Sequence, residues 1–185
     1  MITEGIPPSI IESAAKQLGF PLGPIQLVDE TSIELGAKIA RATRAAMGKS
    51  YPNDQIDEIL FWMEDNGRLG RKAKAGFFNY NENGKREGFW TGLEEKYPIS
   101  KTIPHLTEVQ HRLMFIQALE AVRALEDGVL MDIREGDVGA VLGWGFAPWS
   151  GGPLSWLDIL GTPYAAERSQ ESVSYTHLRA HETET

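Results

Sequence analysis

The chain states one pattern twice. EGIPPSII followed by LGFPLGPIQLVD, from Glu4 to Asp29, is echoed by DGVLMDIR followed by LGWGFAPWSGGPLSWLD, from Asp127 to Asp158. An acid, a glycine and an aliphatic residue open both copies, and Ile10 aligns with Ile133. Leu18-Gly19 aligns with Leu142-Gly143, Gly23-Pro24 with Gly152-Pro153 after a short insertion, and Asp29 with Asp158. Duplication restricts the fold strongly, because each copy should be one supersecondary unit that buries its apolar face only by packing on neighbours. Each reads as a helix, a Gly-Pro corner and a second helix. The expected class is all-α, two related helical repeats with a short hairpin between them.

Periodicity of three and four fills in the rest. Ser9 with Glu12 predicts a capping box for a helix through Ile10, Ile11, Ala14, Ala15 and Leu18 that ends at Gly19. Ile25, Val28, Ser32, Leu35, Ile39 and Ala42 predict one continuous helix from Gly23-Pro24 to about Met47. A third helix is expected from Asp54 to about Asn66, carrying Ile56, Ile59, Leu60 and Met63 and stopped by Gly67. GRLGRKAKAGFFNYNENGKREGFW predicts a basic loop and then a hairpin turning at Asn83-Gly84. Thr107 with Gln110 predicts a second capping box, opening a long central helix through Val109, Leu113, Ile116 and Leu119 to Asp127-Gly128. The boundaries that follow are a first repeat over 1–97, a linker over 98–106, a second repeat over 107–172 and a tail over 173–185.

Within the tail, VSYTHLRAHET resembles the in-frame translation of a transposon-end sequencing adapter, so residues 173–185 are expected to be disordered and foreign to the fold. His177 and His181 are four apart, a spacing that suits a paired metal site on a helix, but the adapter reading removes that meaning. No metal ligand set is therefore assigned. The absence of cysteine removes disulfides, thiolate metal sites and a cysteine nucleophile. A formal charge of -8 argues against a nucleic-acid partner, which would require a basic face. No apolar run approaches a membrane span and no leader is evident, so the expected location is the cytoplasm.

Three places invite a functional reading. GWGFAPWSGGPLSW packs three tryptophans, four glycines and two prolines into fourteen residues. A dinucleotide loop needs G-x-G-x-x-G between a strand and a helix, yet Pro148 stands at the third glycine and no strand precedes. The loop is read as a staple, in which Trp144, Phe146, Trp149 and Trp156 supply apolar area. Arg68, Arg71, Lys72 and Lys74 gather cations in an acidic chain, and attract either an anionic ligand such as a coenzyme A phosphate or only water. Glu120 sits among Ile116, Ala118, Leu119, Ala121 and Val122, where a carboxylate needs a partner, and a helix-helix hydrogen bond is expected. His105 and His111 read as surface residues. No Ser-His-acid order or Walker loop is present.

LGFPLGPIQLVDETS, GRLGRKAKAGFFNY, EVQHRLMFIQALEAVRALEDG and GWGFAPWSGGPLSWLDILG together resemble the C-terminal region of bacterial 3-hydroxyacyl-CoA dehydrogenases, in the same order and spacing. The likeness runs from Glu4 to Arg168 and is greatest to the multifunctional fatty acid β-oxidation subunit that also carries enoyl-CoA hydratase. It implies a helical domain like the C-terminal domain of 6-phosphogluconate dehydrogenase. It also implies an NAD-binding Rossmann domain and a catalytic histidine, glutamate and asparagine upstream of Met1. This chain would then hold no catalytic or cofactor-binding residue and be inactive alone, binding no NAD itself. Its part would be to wall and clamp the acyl-CoA through Pro21, Gly23 and Pro24, with Arg71, Lys72 and Lys74 near the coenzyme. Partners implied are the acyl-CoA, the missing Rossmann domain, and a thiolase subunit or a second copy. Leu142 stands where some members carry a substrate-contacting tyrosine, so that contact is not transferred. The alternatives are a stand-alone helical interaction module and a small acyl-CoA-binding protein.

Overall fold

A computed structural model describes residues 1–51 and 55–176. Its order is α1 (Pro8–Gln17), α2 (Pro24–Thr31), α3 (Ile33–Met47), α4 (Gln55–Asp65), β1 (Phe78–Tyr80), β2 (Arg86–Phe89), α5 (Gly92–Lys96), α6 (Leu106–Glu126), α7 (Ile133–Trp144), α8 (Pro153–Leu160) and α9 (Thr162–Thr176). The class is all-α with a single two-stranded hairpin among the described residues. Two compact units emerge, one from Met1–Glu12 and Leu22–Ile103, the other from Ser13–Pro21 and the chain from Pro104 onward. The boundary falls inside the expected 98–106 linker, but Ser13–Pro21 belongs to the second unit rather than the first. Helix α1 therefore serves both units. Asp54, where the third helix was expected to begin, lies outside the described residues, as do His177 and His181.

In the first unit the expected helix over 25–47 is two helices. Ser32 breaks it with a φ of 88°, and its Oγ accepts from Leu35 N to cap α3 while donating to Leu69 O. The Ile33 amide also donates to Leu69 O at 3.0 Å, so the break is tied to the chain 37 residues on. Interrupting a helix re-phases everything after it by about 100° per residue. Ile33, Ala37 and Ala40 consequently face inward, and Leu35 and Ile39 face out. The predicted hairpin is present, paired Phe78↔Phe89, Asn79↔Gly88 and Tyr80↔Arg86 with an irregularity between Asn79 and Tyr80. Its turn is wider than the Asn83-Gly84 pair, because Asn81 Oδ1 accepts from the Asn83 and Lys85 amides and only Gly84 enters the left-handed region.

In the second unit α6 begins one residue before the expected capping box. His105 Nδ1 accepts from Thr107 N at 3.3 Å and does the capping. The core joins Met114, Phe115 and Ala118 of α6 to Ala140, Phe146, Ala147, Trp156 and Ala165, with Leu18 and Phe20 of the first corner packed against it. Phe115 meets Trp156 edge-on at 4.8 Å and Phe20 meets Phe146 at 5.7 Å. Each such ring contributes about 1.5–3 kcal/mol by leaving water. Helix α9 continues through 173–176, where disorder was expected, since a helix once formed extends at one hydrogen bond per residue.

Two expectations about this unit fail. Trp144 and Trp149 are 59% and 58% exposed rather than buried, and only Phe146 and Trp156 carry the core. Each exposed indole keeps its N–H satisfied at the rim, Trp149 Nε1 on Leu18 O at 2.7 Å and Trp144 Nε1 on Gln117 Oε1 at 3.2 Å. Glu120 makes no helix-helix bond. It lies on the exposed side of α6 and pairs with Arg123 of the same helix at 3.1 Å, since Ala118 turns inward and Glu120 sits about 200° further round.

Candidate functional site

Each copy of the repeat builds its corner around a buried carboxylate. In the first, Glu12 does not fold back on its own helix as a capping box would. It reaches 13 residues forward, and Oε1 accepts from the Ile25 and Gln26 amides at 2.8 and 3.1 Å, capping α2. In the second, Asp137 Oδ1 accepts from the Leu154 amide at 2.8 Å, while Oδ2 accepts from the Ser155 amide and hydroxyl at 3.1 and 2.6 Å, capping α8. A negative group here compensates both the unpaired first-turn amides and the helix dipole. Gly23 and Gly152 are required sterically, because a Cβ on either would strike the capping carboxylate. Gly145, at φ 76°, ends α7 as Gly19, at φ 89°, follows α1, so Gly19 pairs structurally with Gly145 and not with Gly143, which is helical.

The residues expected to clamp a substrate are thus largely occupied. Gly23 and Pro24 open a helix whose amides Glu12 holds. Pro21 packs so closely that a Cβ on Gly145 would lie 2.6 Å from its Cγ. Glu12 Oε2 lies 3.9 Å from Arg86 Nη1, and that guanidinium also donates to Gln26 Oε1 at 2.8 Å. Neither Gly-Pro helix start offers free amides to a pyrophosphate, so the corners do not fit a dinucleotide.

The basic loop divides in three. Arg68 is structural, donating to Gly76 O, Phe78 O and Asn79 Oδ1 at 2.6, 2.9 and 2.7 Å with its guanidinium 4.5 Å from the Trp90 ring centre. Burial holds its pKa below the usual arginine value, partly offset by Asp29. Arg71 pairs with Glu30 at 2.7 Å on the surface. Lys72 and Lys74 are exposed with no ion-pair partner among the described residues. Lys74 adopts a left-handed φ of 59° that closes the 3-10 turn Arg71–Ala73.

Asp29 organises this loop. Almost fully buried, it accepts from the Phe77 and Phe78 amides at 2.8 and 3.0 Å and from the Tyr80 hydroxyl at 2.8 Å. A side chain on Gly76 would collide with the same carboxylate. Burial raises the Asp29 pKa, opposed by the amide bonds from Phe78 and Phe77, the Tyr80 hydroxyl and Arg68; burial and then the Asp29 hydrogen bond raise Tyr80. In the sequence Asp29 stands out only as a repeat position and Asp137 not at all, although a carboxylate on the helix before each Gly-Pro is the signal shared by Glu12 and Asp137. His111, expected on the surface, is half-buried beside Phe115 and Trp156, with ring centres 6.0 and 6.5 Å away. Burial lowers its pKa, as does Arg168, while Glu108 opposes them. Among the described residues no group of three His, Asp or Glu could hold a metal, and no helix is long and apolar enough to cross a membrane.

The fold is shared with the dehydrogenase part of multifunctional enzyme 1 from C. elegans, at a TM-score of 0.66 and 23% identity over 95% of this chain. This chain spans 39% of that one. The match to the 3-hydroxyacyl-CoA dehydrogenase C-terminal domain covers residues 1–80, from the 3-10 turn Ile2–Glu4 through the Asp29-anchored loop to Tyr80. Over residues 1–80 the chain is thus similar to the C-terminal domain of 3-hydroxyacyl-CoA dehydrogenases.

Proposed function

We propose that this chain is the helical scaffold of an NAD-dependent 3-hydroxyacyl-CoA dehydrogenase of fatty acid β-oxidation, acting on the acyl-CoA in concert with reacting groups on another lobe. The observation that carries this reading is the family match over the first corner and its Asp29-anchored loop. NAD supplies the hydride acceptor of such a reaction. Because Glu12 and Asp137 hold the first-turn amides of α2 and α8, our reading gives the corner residues packing and charge as their part. Lys72 and Lys74 are the groups we assign to the coenzyme A phosphates, being exposed and unpaired. Arg71 is tempered by Glu30, and Pro21, Gly23 and Pro24 set the corner backbone.

Two measurements test this together. The purified chain mixed with 3-hydroxybutyryl-CoA and NAD should produce no rise in NADH absorbance. Calorimetric titration with acetoacetyl-CoA should show binding that weakens several-fold in K72E/K74E and as salt rises. Turnover by the chain alone would refute the scaffold assignment, and binding indifferent to both lysines would refute theirs.

A further inference from the structure

The sequence contains two Asn-Gly pairs, Asn66-Gly67 and Asn83-Gly84. In such a pair the glycine nitrogen carries no neighbouring side chain to shield it, so it can approach the carboxamide of the asparagine before it. A Cβ on Gly67 or Gly84 would meet open space, and both asparagines are exposed, so access alone does not separate the two pairs. What separates them is how each is held.

Asn66-Gly67 closes helix α4. The Asn66 amide donates to Trp62 O at 3.2 Å, the Gly67 amide to Glu64 O at 2.8 Å and the Arg68 amide to Met63 O at 2.9 Å, a bonded helix end. The Asn66 side chain donates through Nδ2 to the same Trp62 carbonyl at 2.8 Å, which pins its carboxamide four residues back along the helix. The next residue, Arg68, is fixed in turn by the carbonyls of Gly76 and Phe78.

Asn83-Gly84 stands at the tip of the β1–β2 hairpin. The Asn83 side chain has no hydrogen-bond partner among the described residues. A single turn bond, from the Gly84 amide to Asn81 O at 2.9 Å, must open before that nitrogen can react. Exposed bonds at a loop tip open by local fluctuation, without unfolding the rest.

We propose that Asn83 is a self-modification site, which converts to aspartate and isoaspartate while Asn66 stays intact. The Gly84 nitrogen gives up its proton and bonds to Asn83 Cγ; the Cγ–Nδ2 bond breaks and ammonia leaves with the proton. A cyclic succinimide remains, and water opens it. Cleavage of the new bond gives aspartate, and cleavage of the original peptide bond gives isoaspartate, whose main chain runs through the side-chain carbons and is one methylene longer. Either product places a carboxylate where a neutral amide stood. The longer chain falls within the turn that Asn81 Oδ1 holds through the Asn83 and Lys85 amides, so isoaspartate undoes that turn. It also presents a free α-carboxylate on an exposed tip, the group that a protein-isoaspartate methyltransferase takes as substrate. The inference does not depend on the dehydrogenase reading.

The test ages the full chain in mildly alkaline buffer and samples it over time. Trypsin releases the two pairs in separate peptides, 75–85 and 50–68, and mass spectrometry with fragmentation places each deamidation. Asn83 should deamidate at least about tenfold faster than Asn66, whose extra hydrogen bonds must break first. In urea, where neither pair is held, the two rates should converge. Methylation of peptide 75–85 by protein-isoaspartate methyltransferase should grow with age and disappear in Asn83→Ser. Equal rates in the folded chain, or faster loss at Asn66, would overturn the inference. A rate ratio that urea leaves unchanged would do the same, because sequence and not the fold would then set it. Aspartate at position 83 without isoaspartate would also overturn it, since direct hydrolysis and not attack by Gly84 would be the route.

Discussion

The α1–α2 and α7–α8 corners follow one plan with unequal means. The first reaches its helix start with a glutamate, using one oxygen for two amides. The second does so with a shorter aspartate that uses both oxygens and adds the Ser155 hydroxyl. Further along, Asp29 is buried under the loop it holds, whereas Asp158 at the matching position is exposed. Aligned residues in a duplicated chain thus share a backbone role, and their energetic weight is set by what packs over them.

The widest gap should separate Asp29→Ala from Asp158→Ala. The first strands two amides and a tyrosine hydroxyl in the interior, so a loss of about 3–5 kcal/mol is expected in urea unfolding. The second should lie within about 0.5 kcal/mol of the parent. Comparable losses would mean that Asp158 is covered in solution.

Next come the caps. Asp137→Ala should cost about 2–3 kcal/mol and Glu12→Ala about 1–2 kcal/mol, both read from thermal unfolding. Reversal of that order would deny that the extra Ser155 bond matters. Gly145→Ala should follow, losing more than Gly19→Ala. Both glycines have positive φ, worth about 1–2 kcal/mol, but only at Gly145 does the new methyl also strike Pro21; at Gly19 the nearest atom is Trp149 Cδ1 at 3.8 Å.

The smallest effects concern pH. His111 has its pKa lowered in the fold, so the unfolded chain takes up its proton first. Stability it contributes is present above the unfolded value near 6.5 and is lost as pH falls through the lower folded value. His111→Gln should flatten that part of the stability profile. Asp29 carries the opposite sign: with its pKa raised, its contribution is full below about 3.8 and declines as pH climbs through the folded value. Asp29→Asn should remove that decline, and an unchanged profile would show that its amide bonds outweigh its burial.

Much of this was legible in the chain itself. The repeat, the helices around α1, α4 and α6, and the hairpin all follow from periodicity and turn residues, which are local signals. Local signals misled where a distant contact intervened. Ser9–Glu12 has the spacing of a capping box, yet Glu12 is drawn to amides 13 and 14 residues away. Ile25 to Met47 has one helical period, yet Leu69 holds a break at Ser32. Four cations in one loop look alike, and only the carbonyls around Arg68 and the carboxylate of Glu30 leave Lys72 and Lys74 unpaired.

What the sequence determined is that two helical corners exist and where each turns, since glycine alone enters positive φ without strain and proline fixes φ, whatever surrounds them. Tertiary structure alone decided which carboxylate caps which helix, which tryptophans leave water, and that Ser13–Pro21 packs with the second unit. Those outcomes depend on desolvation and hydrogen bonds between residues far apart in the chain, and no short window of sequence contains both partners.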